Sequence, residues 1–461
     1  MKKVDAIIIG SGQAGNPLAM SLAYSGMKVI LIEKHQLHIG GTCLNDGCTP
    51  SKTLIASAKV AHIINTSEKH GITTDQMNID FATTQKRKDK IVLDSRKGLI
   101  KRLEETKNLE VIIGTASFSD AKIITVTDKN GKTQEYTAEN IFINAGCRPM
   151  IPEIEGLEKV KYYDSTSLLE LKEIPKELIV LGGSYIGLEL GQAFSRLGAK
   201  TTIVERSAKL MSKEDDDVAE SILECLENEG MQFHFNSEAI KVSEIDGKIS
   251  VTIKKGTKET QIHGSHLFIA TGRIPNSDSL TLENAKIKTD ENGHVLVNNN
   301  LETNVKGVFA LGDIKGGPQF TQIAYDDFRI VRDNILHSKK RSYKNRPIPY
   351  CMYTDPQLGR IGISEHDAKE QKLDVEIISI PGRRITRGIE SGTTEGLWKA
   401  IIDKKTNKIL GAAIIGSEGG EIATVLQMAM QGNLTATDIR DGIFSHPSYS
   451  ESLNTLFDQL K

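Results

Sequence analysis

The sequence predicts an α/β protein with two Rossmann-type dinucleotide-binding domains and a C-terminal α+β domain. Three observations predict it. A β-branched strand breaks into a glycine-rich turn at Gly10, the same strand–turn–helix–strand unit recurs at Gly182, and the last quarter of the chain carries strand and helix patterns without a nucleotide motif. At 461 residues the chain has room for about three domains, each with its own core, which excludes a single small binding module. Its 58 Lys and Arg balance 60 Asp and Glu, so no broad field draws it to nucleic acid or to anionic lipid. No apolar run approaches the ~18 residues that span a bilayer, and Met1-Lys2-Lys3 leads into a short strand with no cleavage site. We therefore expect a cytoplasmic protein that contacts neither membrane nor nucleic acid.

In the first unit, Val4 to Ile9 reads as a buried parallel strand running into Gly10-Ser11-Gly12-Gln13-Ala14-Gly15, followed by a helix Asn16–Ser25 and a strand Lys28–Ile32. Glu33 stands at the carboxyl end of that strand. Gly10 allows the tight turn, Gly12 lets backbone approach a pyrophosphate, Gly15 permits close helix–strand packing, and Glu33 accepts from a ribose hydroxyl. The second unit repeats this plan with strand Leu178–Leu181, turn Gly182-Gly183-Ser184-Tyr185-Ile186-Gly187, a helix to Leu197, strand Thr201–Val204 and Glu205, at the same interval as Gly10 to Glu33. Ser184 departs from the middle glycine. A 2′-phosphate would face the Glu205 carboxylate, so NADH is favoured over NADPH, although Arg206 lies next door.

Further strand-to-turn signals end at Gly146, Gly272 and Asp313, the first two marking domain crossovers. Asp313 fits either a sugar or ribityl hydroxyl or the N-cap of a helix. Ser342–Pro349, with Lys344, Arg346 and two prolines, reads as a linker. Beyond it, strands Gly396–Asp403 and Ile409–Ile415 precede a helix Glu421–Gln431 with Ile422, Val425, Leu426 and Ala429 on one face.

The five cysteines are too few and too dispersed for a disulfide scaffold. Cys147, Cys225 and Cys351 read as buried small hydrophobes. Cys43 and Cys48, separated by Leu44-Asn45-Asp46-Gly47, stand apart, and a zinc site would need about two more ligands at short spacing. No metal is expected there; the pair reads as a redox disulfide. Pro50 places Cys48 at the start of a helix, Ser51–Ile64, where the dipole and Lys52 favour a thiolate while Asp46 opposes one. Near the C-terminus, His446 and Glu451 suit a proton shuttle, whereas Ser448-x-x-Glu451 is equally a capping box.

Taken in order, Gly10-x-Gly12-x-x-Gly15 with Glu33, Gly41-Thr42-Cys43-x-x-x-x-Cys48-x-Pro50-Ser51-Lys52, Gly182 to Gly187, Gly312-Asp313 and His446-Pro447-x-x-x-Glu451 resemble the disulfide-active-site flavoprotein oxidoreductases over essentially the whole chain. This is the family of dihydrolipoamide dehydrogenase, glutathione reductase and mercuric reductase. The resemblance implies FAD at the first turn and NADH or NADPH at the second, with hydride passing to flavin and then to the disulfide. Cys48 would face the flavin and Cys43 the substrate. Lys52 would lie near the flavin and pair with Glu189; Thr42, Ala116, Gly146, Asp313 and Thr321 would add FAD contacts. Tyr185 would gate the nicotinamide pocket, with Gly183, Ile186 and Gly272 nearby. The family's C-terminal domain dimerises, so His446 and Glu451 would serve the partner's Cys43 in a homodimer that shares its active site.

Those roles divide the chain into a FAD domain at 1–148 and 271–341, a nicotinamide-nucleotide domain at 149–270 and a dimerisation domain at 347–461. Thr49, Thr53 and Pro318-Gln319-Phe320 are similar to the mercuric-reductase branch, but the terminal residues Thr455–Lys461 lack that branch's vicinal cysteines. The stretch Ile443–Asn454 is similar to the bacterial reactive-chlorine-resistance flavoproteins, and Phe444 replaces a histidine usual in dihydrolipoamide dehydrogenases. The expected acceptor is a small electrophile: a disulfide, hypothiocyanous acid, or a thiophilic metal ion such as Hg(II) or Cu(II). A dihydrolipoamide dehydrogenase and a non-catalytic FAD-binding redox sensor are the alternatives.

Overall fold

The computed structural model describes residues 1–461 and divides into two compact units. The first comprises Met1–Thr53, Gln85–Met150 and Gly272–Arg346. Its seven-stranded sheet runs in the order Leu109–Ile113, Val29–Glu33, Lys2–Ile9, Thr133–Ile143, Ile123–Thr127, Thr115–Asp120, with Val308–Ala310 also paired to Thr133–Ile143. Lys2–Ile9 is parallel to both neighbours, placing Ile7 opposite Ile30 and Ile141. Ile7 and Ile9 enter one apolar cluster and Ala6 and Ile8 another, on the opposite face. A strand covered on both faces needs an unbroken apolar run, which is what the sequence carries. Helix Gly15–Tyr24 covers the second face with Leu18, Ala19, Leu22 and Ala23.

The expected linker Ser342–Pro349 forms no helix or strand, yet its first half is tied down. Arg341 and Arg346 reach Asp326, Asp327 and Asp333 of helix Thr321–His337 at 2.7 to 3.4 Å, holding the chain to the first unit as far as Arg346.

The second unit comprises Leu54–Thr84, Ile151–Thr271 and Pro347–Lys461. A four-stranded parallel sheet, Gln232–His234, Lys200–Val204, Glu177–Leu181, His266–Ile269, repeats the strand order at the parallel end of the first sheet. Helix Tyr185–Arg196 packs Leu188, Leu190, Ala193 and Phe194 into its core. A three-stranded antiparallel sheet spans Glu238–Gly264. The C-terminal part is a five-stranded antiparallel sheet, Tyr350–Met352, Gln357–Gly362, Ile409–Gly416, Leu397–Asp403, Val375–Pro381, covered by helix Gly419–Gln431. Ile422, Leu426 and Ala429 enter its core, while Val425 is only partly buried.

Buried ion pairs join these layers. Lys399, 2% exposed, is held by Asp215 at 3.3 Å, Asp217 at 2.9 Å and Glu365 at 2.7 Å. Arg196 meets Glu229 at 2.5 Å and Asp355 at 2.8 Å. A charge this deep is tolerable only with partners on several sides, and removing one would leave the others uncompensated. No helix is long and apolar enough to cross a membrane.

Candidate active site

The first dinucleotide turn is fastened from several directions. Gly10 turns at φ 103°, and a Cβ there would sit 2.3 Å from the Asn144 carbonyl oxygen, so only glycine closes the turn. Glu33 accepts the Ser11 N–H at 2.9 Å and the His35 N–H at 3.3 Å. Burial pushes its carboxyl up, against those backbone hydrogen bonds. Ser11 Oγ donates to Asn16 Oδ1 at 2.7 Å, and Asn16 Nδ2 donates back to the Ser11 carbonyl at 2.9 Å.

Asp313 lies within a short turn of helix, Gly312–Lys315, whose cap is Leu311, so the N-cap reading of this aspartate does not hold. Burial pushes its carboxyl up, and only the charges of Arg273, Lys315 and His294 oppose. Its partly exposed carboxylate suits the hydroxyl donors of a cofactor chain. Asp327 pins the same turn, accepting the Gly312 N–H at 2.8 Å. Ala116 is buried on strand Thr115–Asp120, and Gly146 turns at φ 66° after the crossover strand.

The thiols are seated on this turn. Gly41–Asn45, which contains Thr42 and Cys43, is a short helix, and the next helix, Cys48–Asn65, begins at Cys48 itself. The Gly40 N–H donates to the Ser11 carbonyl at 2.9 Å, Gln13 Nε2 donates to the Gly40 carbonyl at 3.2 Å, and a Cβ on Gly41 would lie 2.7 Å from Gly12 Cα. Cys43 is partly buried and Cys48 exposed, both as free thiols. The Cys43 thiol is pushed far up, first by its hydrogen bond to Cys48, then by burial and by the charge of the Cys48 sulfur; the Thr321 hydroxyl and Lys52 oppose this. Thr321, the first residue of its helix, stands 3.5 Å from Cys48 Sγ. Asp46 faces the His38 imidazole at 3.7 Å.

The second turn lies in the second unit. Gly182 turns at φ 113°, and Glu205 accepts the N–H groups of Gly183 and Ser207, each at 2.7 Å. Ser184 and Ile186 are exposed, and Gly187 packs against the Gly182 carbonyl. The Tyr185 hydroxyl donates to Glu214 Oε1 at 3.3 Å, an atom that also accepts from Tyr350, while Glu214 Oε2 pairs with Arg360 at 3.2 Å. Glu189 accepts the Tyr353 N–H at 2.8 Å. Gly272 opens a segment of the first unit, and its carbonyl accepts the Met150 N–H at 2.9 Å.

His446 Nδ1 lies 2.9 and 3.0 Å from the two Glu451 carboxylate oxygens. The expected capping box is half made. Ser448 Oγ accepts the Glu451 N–H at 3.2 Å, but the Glu451 carboxylate turns to His446, and the helix starts only at Ser452. The Tyr449 hydroxyl anchors this segment on Ser391 at 2.6 Å and Thr393 at 2.9 Å. His446 and Glu451 belong to the second unit and the thiols to the first.

Cys147 and Cys225 are buried, and burial pushes each thiol up to about 12, as expected of inert cysteines. Cys351, expected to be buried, is only partly so: in the middle of the short strand Tyr350–Met352 its Sγ donates to the Met352 carbonyl at 3.5 Å. Sequence reasoning missed Asn144, Asn16, Glu214, Tyr350 and Tyr449. Asn16 bonds Ser11 only five residues away, whereas the other four act through partners distant in sequence, and only the asparagine at the strand-to-turn signal ending in Gly146 offered a hint.

Comparison with known proteins gives a consistent result. A profile described as pyridine nucleotide-disulphide oxidoreductase matches residues 4–327, and that family's dimerisation domain matches 348–457. The chain is 37% identical to the probable pyridine nucleotide-disulfide oxidoreductase RclA of Escherichia coli, over all of both chains. It is 34% identical to a Staphylococcus aureus mercuric reductase, covering 97% of this chain and 81% of the relative. A dihydrolipoyl dehydrogenase of Bacillus subtilis is 32% identical, with 97% and 94% covered. The solved structure described as the Cu(II) complex of the HOCl-induced flavoprotein disulfide reductase RclA from Escherichia coli matches with a TM-score of 0.92 at 37% identity, covering all of both chains. The chain therefore belongs to the pyridine nucleotide-disulphide oxidoreductases, FAD- and pyridine-nucleotide-dependent enzymes with a C-terminal dimerisation domain.

Proposed function

We propose that this chain is an NAD(P)H-dependent flavoprotein oxidoreductase whose Cys43–Cys48 pair reduces a small electrophile: hypothiocyanous acid, a small disulfide, or a thiophilic metal ion such as Cu(II) or Hg(II). The observation that carries the reading is the seating of the dithiol helices on the first dinucleotide turn, through Gly40, Gly41 and Gln13. Gly10 to Gly15, Glu33, Thr42, Lys52, Ala116, Gly146, Asp313 and Thr321 would hold FAD. Gly182 to Gly187, Glu189, Glu205 and Gly272 would hold the nicotinamide nucleotide, with Tyr185 as its gate and Lys52 paired to Glu189. The Glu205 carboxylate opposes a 2′-phosphate, which favours NADH. The corresponding domains are 1–148 with 271–341, 149–270, and 347–461.

Bound flavin supplies the two-electron relay from nicotinamide nucleotide to disulfide. Reduced Cys43 and Cys48 then carry two electrons and two protons. With a disulfide or hypothiocyanous acid, the Cys43 sulfur attacks the electrophilic sulfur and Cys48 displaces the reduced product as the disulfide re-forms; with metal ions, the two thiolates bind and give up two electrons as the disulfide forms, one to each of two Cu(II) ions or both to one Hg(II). His446, aligned at Nδ1 by Glu451, takes the proton lost by the partner's Cys43 on Nε2, in a homodimer working in a reducing cytoplasm. The description of one relative as a Cu(II) complex supports a thiophilic acceptor.

The test is anaerobic titration of the purified flavoprotein with NADH. A long-wavelength thiolate-to-flavin band should form and vanish in Cys48→Ser. Turnover should then be measured with hypothiocyanite, Cu(II), Hg(II) and lipoamide, and should be lost in Cys43→Ser. Full flavin bleaching in one step without the band would overturn the dithiol mechanism; fast turnover confined to lipoamide would make the chain a dihydrolipoamide dehydrogenase.

A further inference from the structure

Asn144 follows the strand Thr133–Ile143 directly and is buried, at 8% exposure. A side-chain amide is both acceptor and donor, and here each end is used. Oδ1 accepts the Gly15 N–H at 2.9 Å, where helix Gly15–Tyr24 begins; Nδ2 donates to the Leu311 carbonyl at 2.9 Å, immediately before Gly312-Asp313. Three glycines make room for this amide. A Cβ on Gly12 would lie 2.7 Å from Asn144 Oδ1, one on Gly15 3.0 Å from the same atom, and one on Gly312 3.0 Å from Nδ2.

The second unit lacks this arrangement. Its crossover strand His266–Ile269 is followed by Ala270, whose side chain has no polar group, and its middle turn position is Ser184 rather than glycine. The bridging amide and the bare middle position occur together in the first unit and are absent together from the second.

We propose that Asn144 is a positioning residue for the flavin, setting the separation between the dinucleotide turn and the Asp313 turn, and that it imposes glycine at position 12. The inference rests on the reading of the first turn as the FAD site. Losing both bonds leaves the Gly15 N–H and the Leu311 carbonyl unpaired in a buried place, and frees the two turns to drift apart.

The experiment compares FAD affinity of flavin-depleted full-length wild type, Asn144→Ala, Gly12→Ser and the double variant by fluorescence titration, alongside the melting temperature of each flavin-free chain. The expected result is FAD binding weakened about tenfold or more in Asn144→Ala, beyond what the accompanying fall in the melting temperature of the flavin-free chain accounts for. Gly12→Ser should damage binding far more in the wild type than in the Asn144→Ala background. If Asn144→Ala does not accumulate, Asn144→Asp takes its place. It keeps the acceptor, loses the donor and adds a charge beside the turn, so it should weaken FAD binding more as pH rises. Unchanged affinity in the Asn144 variants, a loss that only tracks the melting temperature, or additive damage in the double variant overturns the proposal. A wild type that binds no FAD would instead overturn the reading of the first turn.

Discussion

The two dinucleotide turns share a backbone plan and differ in how firmly they are held. At both, a glutamate at the end of the second strand clasps a turn N–H, Glu33 that of Ser11 and Glu205 that of Gly183. The first turn adds the Ser11–Asn16 pair, the Asn144 amide and the Gly40 segment, whereas the second leaves Ser184 and Ile186 exposed. A preorganised site binds with less ordering cost. The difference suits a resident cofactor at the first turn and an exchanging one at the second.

The largest effect should come from swapping the same atom into both turns. Gly10→Ala places a methyl 2.3 Å from the Asn144 carbonyl oxygen, and Gly182→Ala places one 2.4 Å from that of Ala270, both at positive φ. The first should lower flavin content and activity by about a hundredfold, read from the visible absorbance of the purified chain. The second should keep its flavin and lose NADH-driven turnover through a raised KM. Equal loss of flavin in both would erase the distinction between the turns.

A smaller contrast separates the glutamates. Glu205→Gln should reduce the preference for NADH over NADPH about tenfold, since a 2′-phosphate no longer meets a carboxylate. Glu33→Gln should leave that ratio unchanged and weaken FAD. Steady-state kinetics with both nucleotides decides.

Acid should sharpen the comparison further. Around the first turn, burial holds Glu33, Asp313 and Asp327 above the ordinary carboxylate range. Hydroxyl donors on FAD prefer Glu33 and Asp313 ionised, and ionised Asp327 holds the Gly312 turn, so affinity is full above those raised values and falls as pH drops through them, by at most about tenfold per pH unit for each group. In the second unit, burial pushes Asp355 and Asp215 up, but Arg196 and Lys59 at the first, and backbone N–H groups with Lys399 at the second, hold both below that range. Glu365 is lowered by Lys369 and Lys399. Stability from these depressed acids is present above about pH 4 and is lost only as pH falls through their lowered values. FAD fluorescence should therefore appear at a higher pH than loss of circular dichroism; coincident transitions would contradict this.

The smallest effects belong to the remaining cysteines. Cys147→Ala removes a contact from Sγ to the Asp313 carbonyl at 3.4 Å and should weaken FAD about twofold. Cys225→Ala touches neither turn, so flavin binding and turnover should stay within about twofold of wild type while stability falls by about 1 kcal/mol.

Much of this was legible in the sequence because it depends on local backbone geometry. A βαβ turn needs glycine where φ is positive and an acid one strand later, so Gly10, Glu33, Gly182 and Glu205 identify themselves at fixed intervals. Pro50 signals a helix start, which the structure places two residues earlier, at Cys48, and the buried central strands follow from unbroken apolar runs. Tyr449 and Glu214 were invisible because their partners, Ser391, Thr393, Tyr350 and Arg360, lie far along the chain and are chosen by packing.

The sequence by itself determined two dinucleotide units, a redox cysteine pair and a third domain, since each rests on short-range spacing. Tertiary structure alone decided that Glu451 orients His446 rather than closing a capping box, that Asp313 sits inside its turn with a partly exposed carboxylate, and that Asn144 joins two turns. A side chain with several neighbours in reach commits to one only when the fold brings that neighbour within hydrogen-bond distance, and spacing along the chain does not record that choice.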